Sequence, residues 1–124
     1  MKLYLTMNTR NYELVRDFLY LVDTKFIEDT LLNYYQEKDD EAITNTWLAV
    51  HELRKAFLND DRILLNLDED FADILLHFLS PQNIDDTSNL FGRHYTKTNE
   101  DYVWEVDDAV SKLYSDLKHN FMKM

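Results

Sequence analysis

The chain has 124 residues, 45% of them hydrophobic and 14% aromatic, with a formal net charge of −11. That length implies one acidic domain with one core, and eight Tyr with seven Phe exclude a disordered acidic tail. The lack of clustered Lys and Arg disfavours direct binding to nucleic acid or to an anionic membrane, and the absence of cysteine removes disulfides and thiolate metal sites.

A single glycine, Gly92, and a single proline, Pro81, are too few for the tight turns of an all-β domain. The expected fold is mainly α, a single-domain bundle of about five helices spanning residues 1–124, with a possible minor two-stranded β element from residues 2–7 and 62–67. In chain order, Lys2–Met7 alternates weakly and reads as a short strand or an ordered arm. The opening segment has no apolar run of signal-peptide length, and no stretch approaches the roughly 20 apolar residues of a membrane helix, so a soluble cytoplasmic protein is expected. Asn8 or Thr9 caps a first helix with Val15, Phe18, Leu19 and Val22 on its stripe. Asp23-Thr24 is a plausible break, and the pattern resumes at Phe26, Ile27, Leu31, Tyr34 and Tyr35. Without a break, residues 9–37 would form one helix about 43 Å long; two helices or a kinked one is preferred.

Asp39 or Asp40 starts the next helix, with Ile43, Trp47, Val50 and Phe57 on one face and Leu53 beside it. Arg62–Leu67 is too short and too continuously apolar for periodicity to separate helix from strand; pairing with Leu3–Met7 is possible. From Asp68, the residues Phe71, Ile74, Leu75 and Phe78 define a compact helix that stops before Pro81. Ser80 and Pro81 are expected to open a short helix that Gly92 ends, with Ile84 and Leu90 or Phe91 inward. The clearest signal is Asn99–Met124. Val103, Val106, Val110, Leu113, Leu117 and Phe121 recur every three or four residues, shouldered by Tyr102, Ala109 and Tyr114. Thr98 or Asn99 caps this helix, and Lys118, His119 and Lys123 suit its C-terminal dipole.

Chemistry-bearing motifs are missing. Asn66, Asp68 and Asp70 match the first three ligand positions of a calcium loop, but Phe71 stands where glycine is required and His77 where glutamate is required. His51-Glu52 begins like a zinc-protease helix, but Lys55 replaces the second histidine. Asp116 and His119 have the spacing of half a di-iron pair, and neither His77 nor His94 supplies the second. No serine lies in a glycine-flanked elbow. The expectation is therefore a protein that is not an enzyme and uses no cofactor and no metal.

The charge is unevenly placed. Residues 60–108 hold thirteen acids against only Arg62, Arg93 and Lys97. The carboxylates of Asp60, Asp61, Asp68, Glu69, Asp70, Asp73, Glu100, Asp101, Glu105, Asp107 and Asp108, with Trp104 among them, form the candidate partner-binding set; Asp85 and Asp86 belong to the same acidic stretch. Such a field speeds encounter with a basic surface. Trp104 is expected in the core, the usual home of tryptophan; exposed, it would be an interface anchor. Tyr34, Tyr35 and Trp47 are expected to pack between consecutive helices.

In composition the chain is similar to small acidic helical accessory proteins of phages and plasmids, some of which are inhibitors called DNA mimics. That likeness implies a non-enzymatic binder that occupies the basic site of a protein handling nucleic acid. The other expectation is a self-associating helical or immunity-type protein, in which the near-heptad stripe from Val103 to Leu117 permits a homodimer.

Overall fold

Short polar side chains decide where the helices begin. Oδ1 of Asn8 accepts from the Asn11 amide at 2.8 Å, Asp23 from Phe26 at 2.8 Å, and Asp39 from Ala42 at 2.6 Å. Asn83 accepts from both Asp85 and Asp86, and Asn99 from Asp101 at 2.9 Å. Each satisfies amides that the first turn of a helix leaves without a partner. The computed structural model describes residues 2–58, 62–66, 69–95 and 99–122. In them the chain runs β1 (Lys2–Thr6), α1 (Thr9–Leu21), α2 (Thr24–Tyr35), α3 (Asp40–Ala56), β2 (Arg62–Asn66), α4 (Glu69–Leu79), α5 (Ile84–His94) and α6 (Glu100–Met122).

The fold is a mainly helical bundle. Among the described residues it has six helices where about five were expected: residues 9–37 form two, with Val22 closing α1 and Asp23 capping α2. The strands pair antiparallel, with Lys2 opposite Asn66 and Leu5 opposite Ile63. Met7 falls outside the ladder, and Leu67 lies outside the described residues.

The stripe of α6 is the spine of the core. Val103, Val106, Val110, Leu113 and Leu117 are all buried, and α1, α4 and α5 pack around this helix. Each buried Leu or Val contributes about 1.5–3 kcal/mol relative to exposure. The stripe is thus covered within the chain and is not available as a seam between two copies. α1 packs on the start of α6: Arg10 meets Glu105, and the Tyr102 hydroxyl donates to Asp17. Phe26 links three helices, meeting Phe18 and Phe78 edge to face, each with ring centres 6.0 Å apart. The Tyr12 hydroxyl donates to the Phe57 carbonyl while the two rings stack.

Two polar braces hold the α1–α2 corner. The Arg54 guanidinium donates to the Leu19 carbonyl (3.0 and 2.6 Å) and to the Val22 carbonyl (2.9 Å). Asp23 receives Arg93 at 3.0 and 3.1 Å and His94 at 3.2 Å, both from α5. Partial burial works against the Asp23 carboxylate, but the hydrogen bonds from Arg93, the Phe26 amide and His94 outweigh it and hold its pKa below the ordinary range.

Several local expectations are corrected. Pro81 does not open α5; Asn83 caps it, because its side chain reaches two free amides. Gly92 lies inside α5 rather than ending it, and a Cβ there would meet nothing within 4 Å. Trp47 turns outward at 38% exposure, because the inner face of α3 is made by Thr46, Ala49, Val50 and Leu53, with Phe57 just beyond. Tyr34 is likewise exposed, and its hydroxyl bonds to Asp86 at 2.6 Å. Among the described residues no helix is long and apolar enough to cross a membrane.

Candidate functional site: an acidic face on the last helix

The first third of α6 must serve two environments. Its Val103 and Val106 are buried, so at 100° per residue the positions between and beyond them point elsewhere. Trp104 lands outside at 49% exposure, contrary to the expectation that it joins the core. The residues three before, four before and four after it share its side of the helix. These are Asp101, Glu100 and Asp108, all exposed. The result is an indole ringed by carboxylates on a rigid helix.

The flanks of this face differ. On one side Glu105 is paired with Arg10 of α1 at 3.1 Å, which removes much of its free charge. On the other, half-buried Asp107 accepts from the Thr87 hydroxyl at 3.2 Å and faces Asp86 at the start of α5. Burial raises the Asp107 pKa, the Thr87 hydrogen bond opposes that, and the neighbouring charges of Asp108 and Asp86 raise it further. Asp86 in turn accepts from the Tyr34 hydroxyl, whose oxygen accepts from Asn83 Nδ2 at 2.9 Å. The acidic face therefore extends from α6 onto the start of α5. Asp85 and Asp86, part of the acidic stretch read from the sequence, were outside the expected binding set; the contact between α5 and α6 is what places Asp86 beside Asp107.

The sign of the Asp107 shift leads to a test. A carboxyl whose pKa is higher folded than unfolded contributes stability that is full below its unfolded pKa and is lost as pH rises through the folded value. At neutral pH the ionised Asp107 thus weakens the fold. Asp107→Asn, which keeps an Oδ1 acceptor for Thr87, is expected to melt a few degrees higher than the parent at pH 7. The gain should shrink as pH falls towards 4. Equal melting temperatures at neutral pH would refute the assignment.

The remaining expected site residues are elsewhere. Glu69, Asp70 and Asp73 are exposed on α4. Asp73 borders a cleft of about 510 Å³ with Tyr114, Lys118 and Phe121, on the C-terminal half of α6. Trp104 and Lys118 are about 21 Å apart at 1.5 Å per residue, so the α4 acids do not ring the indole. Asp60, Asp61 and Asp68 lie outside the described residues.

A second polar cluster lies between α2 and α4. Tyr35 stacks on His77 with ring centres 3.6 Å apart, and Glu37 Oε1 is 2.8 Å from His77 Nε2. The Tyr35 hydroxyl also donates to the His77 carbonyl at 2.7 Å. Glu37, His77 and Asp73 border a cleft of about 370 Å³ with Asn45 and Thr46. Both the ring face and Nε2 of the imidazole are engaged, which makes it a clamp between helices. Among the described residues no group of three or more histidines and acids is placed to hold a metal ion.

Comparison of the chain with family models, with curated proteins and with solved structures returns no match.

Proposed function

We propose that the chain is a non-enzymatic, cytoplasmic binding module whose α5–α6 acidic face occupies the basic site of a partner protein that handles nucleic acid, in the manner of a DNA-mimic inhibitor of a phage or plasmid. The observation that carries this reading is Trp104, half-exposed in a ring of free carboxylates from Glu100, Asp101 and Asp108. Carboxylates fixed on a helix hold a set spacing, as phosphates do, so a groove lined with Lys and Arg can engage several at once. The indole supplies the apolar anchor that charge alone lacks. Asp85 and Asp86 extend the face, and Glu69, Asp70 and Asp73 add to the field that draws in a basic partner.

The experiment is a tagged pull-down from nuclease-treated host lysate, eluted by a salt gradient. A basic nucleic-acid enzyme released at moderate salt is expected. Joint reversal of Glu100, Asp101 and Asp108 to lysine should weaken its binding at least about 30-fold and flatten the salt dependence. Trp104→Ala should cost about 2 kcal/mol with little change in salt slope. Unchanged affinity in the triple variant, with the helices intact, would sink the reading.

A further inference from the structure

The outer face of α3 has no role in the core or in the acidic face. Thr44, Trp47, Leu48 and His51 recur at helical spacing and together line an open cleft of about 160 Å³, with no residue of another element among the described residues of its walls. Leu48 is 50% exposed. The Trp47 ring stands edge-on to His51, centres 5.2 Å apart, and His51 Nδ1 is shut off from solvent with no hydrogen-bond partner among the described residues. α3 thus has two apolar faces. Thr46, Ala49, Val50 and Leu53 fill the inner one, while Trp47 and Leu48 stay exposed on the outer one.

The outer face is self-complementary. We propose that it is an interface for a second copy of this chain, with the two α3 helices antiparallel about a two-fold axis passing between Trp47 and Leu48. An isologous contact requires each residue to meet the counterpart that the axis assigns to it. Here Trp47 and Leu48 lie at the centre, and Thr44 of each copy is opposite His51 of the other, giving the imidazole a hydroxyl neighbour. One turn further out, Asp40, an exposed acid in the first turn, is opposite Lys55, an exposed base in the last. Among the described residues Lys55 pairs with Glu52 at 3.1 Å, a surface contact. Charge complementarity selects both the occupant and its direction: a parallel pair would set Asp40 on Asp40 and Lys55 on Lys55, whereas the antiparallel pair joins opposite charges at both ends and opposes the helix dipoles. The contact is on a different helix from the acidic face, so the dimer presents that face twice and stands or falls independently of it.

Sedimentation of the full chain over a dilution series tests the proposal, with a reversible monomer–dimer equilibrium as the expected result. Leu48→Glu should weaken dimerisation at least about tenfold while the far-ultraviolet circular dichroism is unchanged. Asp40→Lys and Lys55→Glu should each weaken it, and the two combined in one chain should restore it. The chain has no cysteine of its own, which gives a direct reading of register. A mixture of Thr44→Cys and His51→Cys chains should oxidise to a covalent heterodimer. Thr44→Cys alone should not, because the two copies of residue 44 lie about 10 Å apart along the helices and a disulfide needs Cα atoms within about 7 Å. A chain that is monomeric at every concentration overturns the proposal. So does self-crosslinking of Thr44→Cys as fast as the mixture, or a double charge swap that stays as weak as its parents.

Discussion

Phe26→Ala is expected to lower the free energy of unfolding by about 4–5 kcal/mol. The buried ring is the hinge of an aromatic chain, meeting Phe18 of α1 and Phe78 of α4 edge to face. Truncating a buried phenylalanine costs about 3–5 kcal/mol through lost transfer and the cavity left behind, and each well-placed aromatic pair adds about 0.5–1.5 kcal/mol. The upper half of the range applies because both partners are themselves fully buried and belong to different helices, so the site cannot collapse without moving α1 or α4. Domains of this size have total stabilities of roughly 5–15 kcal/mol. The variant should therefore melt roughly 10–20 °C lower than the parent. Urea unfolding checks this: the midpoint should fall while the slope is unchanged. Phe26→Leu, which keeps most of the volume, should lose less than half as much. A loss under about 1 kcal/mol for the alanine variant would show that the corner repacks.

Arg54→Met should cost about 2–3 kcal/mol, a large effect for a residue at the edge of the core. The methionine keeps the apolar stem packed but removes the donors to the Leu19 and Val22 carbonyls. Hydrogen bonds from a charged group are worth about 1.5–3 kcal/mol, and the carbonyls left behind at the end of α1 lose their partners. Burial lowers the Arg54 pKa, with the Tyr20 hydroxyl opposing, so the charge is held at a desolvation cost that the two carbonyls offset. Arg54→Lys should recover only part of the loss, because a single ammonium does not reproduce the fork that spans both oxygens. Amide exchange should localise the defect to residues 19–26. Because the guanidinium also sits 5.3 Å from the Trp47 ring centre, the tryptophan emission should shift in the same variant. An unchanged urea midpoint would mean that water replaces the brace without loss.

Local order was written plainly in the chain. The stripe from Val103 to Leu117 is buried at every position that its period marked, since 3.6-residue periodicity needs no knowledge of the neighbours. Asn8, Asp39 and Asn99 cap the helices as their side-chain chemistry suggests. The continuous apolar run after Asp61 resolves as a strand because residues 2–6 are there to pair with it. What misled was hydrophobicity treated as a proxy for burial. Trp47 looked like core, but anchoring the α3 stripe on Leu53 and Val50 leaves Trp47 about 120° from Leu53 and makes Thr46 and Ala49 the inner residues. Trp104 fell to the same assumption. Asp86 beside Asp107 was not legible at all, since α5 and α6 meet only in the folded chain. The helix break at Asp23 was visible, but its bidentate partner Arg93, seventy residues on, was not.

The packing of α1 against α6 has a consequence for how the chain leaves the ribosome. Asp17 and Tyr102 are 85 residues apart, and Arg10 and Glu105 are 95 apart. At about 5–20 residues per second, the interval between making the two sides of the first contact is roughly 4–17 s. α1 can sample its helix within microseconds of emerging, but its apolar residues wait for most of translation without the helix that covers them. Folding rate falls as contacts become more distant in sequence, and the same holds for β1, whose strand partner β2 is made about sixty residues later. The burial of α1 therefore waits on the last helix to be made, and the yield of folded chain should depend on translation speed through α2 to α5.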